Sequence, residues 1–393
     1  MVNAVRRVLL AGTGATLALA LGAQPVHAES INERLGLDFK AAHEITRGDG
    51  ATLAILGGGV DTGVRVLRGK VERGEDFAGV GSPKYFYDTL FATLILGGDK
   101  AAPPLGLRGL APDAKVLSVR VEAEARDFAG GQKDWDAWFN GQKLGPVYAR
   151  AIRYAVDQGA GVILANWSWI DTDARLNDAI AYAVSKKTVI VTNMGRSESR
   201  PTEQLVYPSA TPGVIGAAAI GADGRPPKDD LSARNSGVFI AAPDSRHSVV
   251  APGDKDWLVW GSRVSAAQVA AAALLVKAKY PDMSAALVAQ ALATSTRRTP
   301  KGGYDFNVGF GIVNPVGALQ KAADMAGYPG SATPGGAVVD PNARFVGDAP
   351  VHKINAVQRS TGRLVLFGGL VGLGAVLSGV ATILLIRRRR VPS

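Results

Sequence analysis

The sequence predicts an α/β fold in which a mainly parallel sheet lies between helical layers, followed by one C-terminal transmembrane helix. Three observations carry this expectation. Short, near-continuous apolar runs alternate with helical patterns between Thr52 and Thr294. These runs lack the polar–apolar alternation of a sheet with one wet face, so both faces are expected to be covered. Leu364 to Ile386 contains no charged residue. As a helix it would be roughly 34 Å long, enough to cross a bilayer with some tilt.

The 393 residues suffice for one large domain or two ordinary ones, and a hydrophobic fraction of 47% supplies a sizeable core. The formal net charge of +10 is unevenly placed. Arg6 and Arg7 precede the first apolar run, Val8 to Leu21, and Arg387 to Arg390 follow the last. Charges so placed direct a chain to a membrane. No basic stripe is interleaved with aromatics, so nucleic acid is not an expected partner. The lack of cysteine excludes disulfides, thiol catalysis and thiolate metal sites. No His/Asp/Glu cluster has ligand spacing, so no metal or cofactor is expected.

In chain order, 1–28 reads as a secretory signal peptide, ending in the small-x-small site Val26-His27-Ala28. A globular domain follows over 29–326. Its predicted strands are Thr52–Leu56, Lys115–Val121, Gly161–Ala165, Thr188–Thr192, Val214–Ile220 and Val238–Ala242. Its predicted helices are Tyr87–Leu96, Val147–Gln158, Ala174–Ser185, Val264–Lys279 and Ser284–Thr294. The polar stretch Glu122 to Gly145, which holds Trp135 and Trp138, reads as a surface insertion, and His247 as a loop residue. Residues 327–362 are a Pro/Gly-rich linker. Residues 363–386 form the membrane helix, and 387–393 a basic tail expected to stay cytoplasmic. The two membrane signals agree: domain outside, tail inside.

Several segments resemble one family. Leu110-Ala111-Pro112-Asp113-Ala114-Lys115-Val116 is similar to the subtilase segment after the catalytic-histidine helix. Asn177 to Val184 with Val189 to Val191 resembles that family's helix and central strand, and Tyr207-Pro208-Ser209-Ala210-Thr211-Pro212-Gly213 its next strand entry. Gly309-Phe310-Gly311-Ile312-Val313-Asn314-Pro315 resembles its closing Gly-x-Gly-x-Val-(Asp/Asn) motif. The implied fold is the subtilisin-like three-layer fold. A leader, a subtilase domain, a Pro/Gly-rich linker, one membrane helix and a basic tail resemble the mycosins. This implies a membrane-bound protein associated with type VII secretion membrane-complex proteins.

The resemblance also locates the expected chemistry. A serine protease needs a nucleophile, a base, a carboxylate to orient the base, and oxyanion donors. Gly57 falls where the aspartate should end the first strand. Aligning Asp61 instead would restore an acid but bury Gly57, Gly58 and Gly59 in the strand, where glycine is unfavourable. Tyr87 replaces the histidine that opens the next helix. Arg196 stands at the oxyanion asparagine, with Asn193 three residues early. Arg263 stands at the nucleophile in Gly261-Ser262-Arg263-Val264-Ser265-Ala266-Ala267. A guanidinium stays protonated and cannot attack a carbonyl. These four positions together predict a pseudoprotease with no catalytic residues, acting as a scaffold or peptide-binding component. An active endopeptidase using Ser262 or Ser265 is the alternative. Arg196 and Arg263 are expected to lie close together, with Asp88, Asp61 or an anion as counter-charge. An acidic peptide segment is then a candidate ligand.

Overall fold

The structure, a computed structural model, describes residues 37–97, 109–165, 168, 173–195, 204–228, 232–327 and 361–388. The leader, Arg196, most of the linker and the end of the tail lie outside these residues. The chain divides into two units, 1–332 and 333–393.

In the first unit, α1 (Phe39–His43) precedes β1 (Thr52–Gly57) and β2 (Val71–Asp76). Then come α2 (Phe86–Leu96), β3 (Lys115–Arg120), α3 (Gln132–Gly141), α4 (Leu144–Asp157), β4 (Val162–Ala165), α5 (Ala174–Ser185) and β5 (Val189–Asn193). The rest is β6 (Val214–Ile220), β7 (Ile240–Pro243), β8 (His247–Ala251), β9 (Lys255–Val259), α6 (Ser262–Lys279), α7 (Ala285–Thr294) and α8 (Pro315–Met325).

Seven strands form one sheet in the order β2-β3-β1-β4-β5-β6-β7, and all its strand pairs are parallel. Strand β1 sits where the order reverses, with β3 on one side and β4 on the other. Ligands of open α/β sheets bind at the carboxyl ends of strands around such a switch point. Gly57, the last residue of β1, is at that place.

Alternate residues of β1 enter two cores, as the two-residue period of a strand requires. Leu53 and Ile55 join α2, α6, α7 and α8 on one face. Ala54 and Leu56 join α4 and α5 on the other. The predicted strands and helices are thus found, with ends shifted by a few residues. Strand β2 was not predicted. Its sequence Val71-Glu72-Arg73-Gly74-Glu75-Asp76 is charged because it is a sheet edge, where charge blocks pairing with other chains. The hairpin β8–β9 was also missed, and His247 opens β8 rather than lying in a loop.

The expected surface insertion needs a larger correction. It contains α3, where Trp135 stacks on Phe139 at 4.8 Å and donates its ring N–H to the Ala123 carbonyl. Its first residues are not surface: Glu124 and Asp127 are buried.

Helix α6 is buried continuously from Val264 to Lys277 and packs on β4, β5, β6 and β7. Alanines 266, 267 and 270–273 make this possible. They favour helix and let its backbone approach the sheet.

The described residues of the second unit form α9 (Thr361–Arg388), 28 residues long. Among the described residues no helix is long and apolar enough to cross a membrane. The side chains of Phe367, Leu370, Val371, Leu373, Val376 and Leu377 are exposed.

Ala270 is fully buried. Ala270→Leu is expected to cost about 1–3 kcal/mol by overpacking, seen as a lower urea midpoint at unchanged slope.

Candidate functional site

The site begins at a missing side chain. A Cβ built on Gly57 would lie 2.5 Å from Asp88 Oδ2 and 2.7 Å from Oδ1. The Asp88 carboxyl therefore fills the room that any side chain at position 57 would need. Asp88 is the third residue of α2 and is buried. Its Oδ2 accepts the Gly59 backbone N–H at 2.9 Å. Gly59 has φ +91°, and a Cβ there would meet the Tyr85 ring at 2.8 Å, so this loop too requires glycine.

Asp61 is not in this pocket. Its backbone N–H donates to Thr89 Oγ1 at 2.8 Å, and its Oδ1 accepts the Gly63 N–H.

The N-cap of helix α2 is Tyr85, a non-glycine residue at φ +53° that offers no side-chain cap. The insertion supplies the cap instead. Glu124 Oε1 accepts the Tyr87 N–H at 2.8 Å, satisfying an orphan donor of the first turn. Beside it, Glu122 Oε1 accepts the hydroxyl of fully buried Tyr148 at 2.6 Å. Arg120 anchors the same segment, paired with Asp76 at 2.7 Å and Asp127 at 3.3 Å.

Three carboxyls thus converge under Tyr87. Burial, then the charges of Glu122 and Glu124, push Asp88 up to about 8, against the Gly59 hydrogen bond and Arg263. At pH 7 Asp88 is held mainly as the neutral acid. Burial also raises Glu122, opposed by Arg263 and by the Tyr148 hydroxyl. Burial raises Glu124 to about 7, opposed chiefly by the Tyr87 N–H.

Arg263 lies in the first turn of α6, the positive end of the helix dipole and an unfavourable place for a cation. Arg263 interacts electrostatically with Glu122, which offsets this. Its guanidinium stands 6.0 Å from the Tyr87 ring centre.

Above these groups is a cleft of about 740 Å³. Tyr87 and Arg263 line it, with Asn193, Ser168, Trp257 and Trp260. Sequence reasoning placed Gly57, Tyr87 and Arg263 together, and the structure gathers them here, Gly57 through Asp88. Arg196 lies outside the described residues. Asn193 ends β5, and its Oδ1 accepts the Gly195 N–H at 3.0 Å.

The candidate serines are poorly served. Ser265 is fully buried and its hydroxyl donates to the Pro243 carbonyl. Ser262 lines the cleft. The two described histidines are engaged elsewhere. His43 contacts the Leu110 carbonyl, and His247 contacts Ser245 and Gln268. Burial lowers His247 to about 4, so it is neutral. Among the described residues, no group of three or more His, Asp or Glu side chains could hold a metal ion.

Residues 88–311 match the family model described as the subtilase family. The chain belongs to the subtilase family. Among its relatives, Mycosin-1 of Mycobacterium tuberculosis is 31% identical over 71% of this chain and 70% of that protein. Mycosin-3 of the same organism is 30% identical over 91% and 84%. The serine protease MycP1, described as an essential component of the type VII (ESX-1) secretion system, superposes with a TM-score of 0.60. That pair is 26% identical over 74% of this chain and 87% of the other. A chain of the periplasmic assembly of the ESX-5 inner membrane complex gives 0.58 at 26% identity, over 72% and 82%. This subtilase is mycosin-like.

Reading the subtilase pattern missed Glu122 and Glu124. They sit in a segment that looks like solvent-facing polar sequence, and only the cap on Tyr87 reveals their place. The apolar pair Trp257–Leu258 was a usable signal for the hairpin.

Two outcomes test this geometry. Gly57→Asp is expected to lose about 1–3 kcal/mol in urea unfolding, because its carboxylate meets Asp88. The double variant Gly57→Asp/Asp88→Gly should recover most of that loss. The second concerns pH. An acid with a raised folded-state pKa binds its proton more tightly when folded. Its contribution is therefore full below about pH 4 and is lost as pH rises through about 8. Asp88→Asn, which still accepts from Gly59, should flatten the fall of Tm between about pH 5 and pH 8.

Proposed function

We propose that this subtilase is a pseudoprotease. It is tethered outside the membrane and holds a polypeptide segment in its cleft without cutting it. The observation that carries this is the Asp88 carboxyl in the side-chain room of Gly57, with Tyr87 and Arg263 over it. The places of orienting acid, base and nucleophile hold a glycine, a phenol and a guanidinium. A phenol has an ordinary pKa of about 10 and is a poor base near neutrality. Arg196, at the oxyanion position, completes the degenerate set.

Residues 1–28 direct export, 363–386 span the membrane, and 387–393 stay inside. The exposed apolar side chains of α9 suit contact with lipid. The likeness to MycP1 and to the ESX-5 assembly supports a role as a component of a type VII secretion membrane complex. A cleft of about 740 Å³ with a guanidinium in the nucleophile's place supports binding.

Labelling of the full-length chain with a serine-directed fluorophosphonate tests the reading. No labelling above a heat-denatured control is expected, and Arg263→Ser alone should restore none. Labelling lost in Ser262→Ala or Ser265→Ala would establish an active endopeptidase instead.

A further inference from the structure

The arginines of the cleft suggest an acidic segment; the β8–β9 hairpin adds aromatic chemistry beside them. Trp257 and Leu258 are each 49% exposed and Trp260 59%, with Tyr87 at 44% beside them. Large apolar side chains exposed together mark an interaction surface. The rings are held in place. Phe86 meets Trp257 edge to face at 5.1 Å and Tyr87 at 5.5 Å.

Guanidinium groups flank the rings. Arg126 lies 3.8 Å from the Phe86 ring centre and 5.3 Å from that of Tyr87. Arg263 lies 6.0 Å from Tyr87, and Arg246 5.5 Å from Trp260. These are cation–π distances, and all three arginines are exposed. The carboxyls facing them are Asp88 and Glu122, both in the field of Arg263, and two more. Glu124 pairs with Arg126 at 3.5 Å and also caps Tyr87, while Asp256 is exposed on β9.

A third feature is backbone. Among the described residues β9 pairs with β8 alone, so its other edge can accept a strand.

Resting on the cleft reading above, we propose that the hairpin, Tyr87 and the three arginines form a docking platform. Its occupant is an extended, acidic segment of a partner protein bearing aromatic or leucine anchors. The anchors meet Trp257 and Trp260, and the carboxylates meet Arg126, Arg246 and Arg263, which fork such groups well. The same residue types could instead sit in a bilayer interface. The concavity of the cleft, about 740 Å³, favours a peptide over a flat lipid surface.

The full-length chain in phosphatidylcholine nanodiscs tests this by fluorescence anisotropy. The probe is a labelled synthetic peptide with Phe and Leu anchors spaced by Glu and Ser. Its controls are a twin with Lys for Glu and a twin with Ser for the anchors. The Glu peptide is expected to bind at least about ten-fold tighter than either twin. Trp257→Ala/Trp260→Ala should weaken it about ten-fold or more, and Arg126→Glu/Arg246→Glu should abolish the preference over the Lys twin. All four side chains are exposed, so an unchanged Tm checks that the variants fold.

Equal binding of the Glu and Lys peptides would overturn the proposal and leave the holding role of the cleft standing. Binding by none of the three peptides would overturn both. In brominated-lipid nanodiscs, quenching of tryptophan emission that disappears in Trp257→Ala/Trp260→Ala would assign the platform to the bilayer and overturn the proposal.

Discussion

One carboxyl shapes this site. Asp88 projects from α2 into the room beside Gly57 and is tied there by the Gly59 N–H. Burial holds it as the neutral acid at pH 7. A second acid at position 57 would meet this carboxyl, so Asp88 would have to shift to admit the usual orienting carboxylate. With no acid on β1, a histidine at the start of α2 would lack the partner that fixes its tautomer and orientation. Tyr87 occupies that place, and its ring stands near Arg263. Gly57 is thus linked to Asp88, and Tyr87 to Arg263.

The acids beneath Tyr87 also explain how Arg263 is tolerated. A cation at a helix N-terminus opposes the dipole. Glu122 supplies the opposing charge, and the raised pKa of both Glu122 and Asp88 shows what their burial costs. The insertion that carries Glu122, Glu124 and Asp127 is thus part of the cleft floor. Arg120 locks its base to β2 through Asp76.

Much of the scaffold was legible in the sequence because buried strands and the alanine-rich α6 leave strong apolar patterns. The elements that were missed lack such a pattern. Strand β2 is charged because it is an edge. Hairpin β8–β9 mixes Lys255 and Asp256 with Trp257 and Leu258, as a half-exposed ribbon does. The convergence of Gly57, Tyr87 and Arg263 was readable from motif register alone. Asp88 was read as a candidate counter-charge, but its place beside Gly57 was not legible, because it depends on a side chain reaching across to another element. Glu124 was invisible for the same reason: its function is a cap on a helix distant in sequence.

The most direct measurement is a search for new peptide termini after the full-length chain is incubated with a complex peptide library, read by mass spectrometry. The account predicts no termini beyond those given by the Ser262→Ala/Ser265→Ala variant. Termini that accumulate with time and vanish in that variant would contradict it.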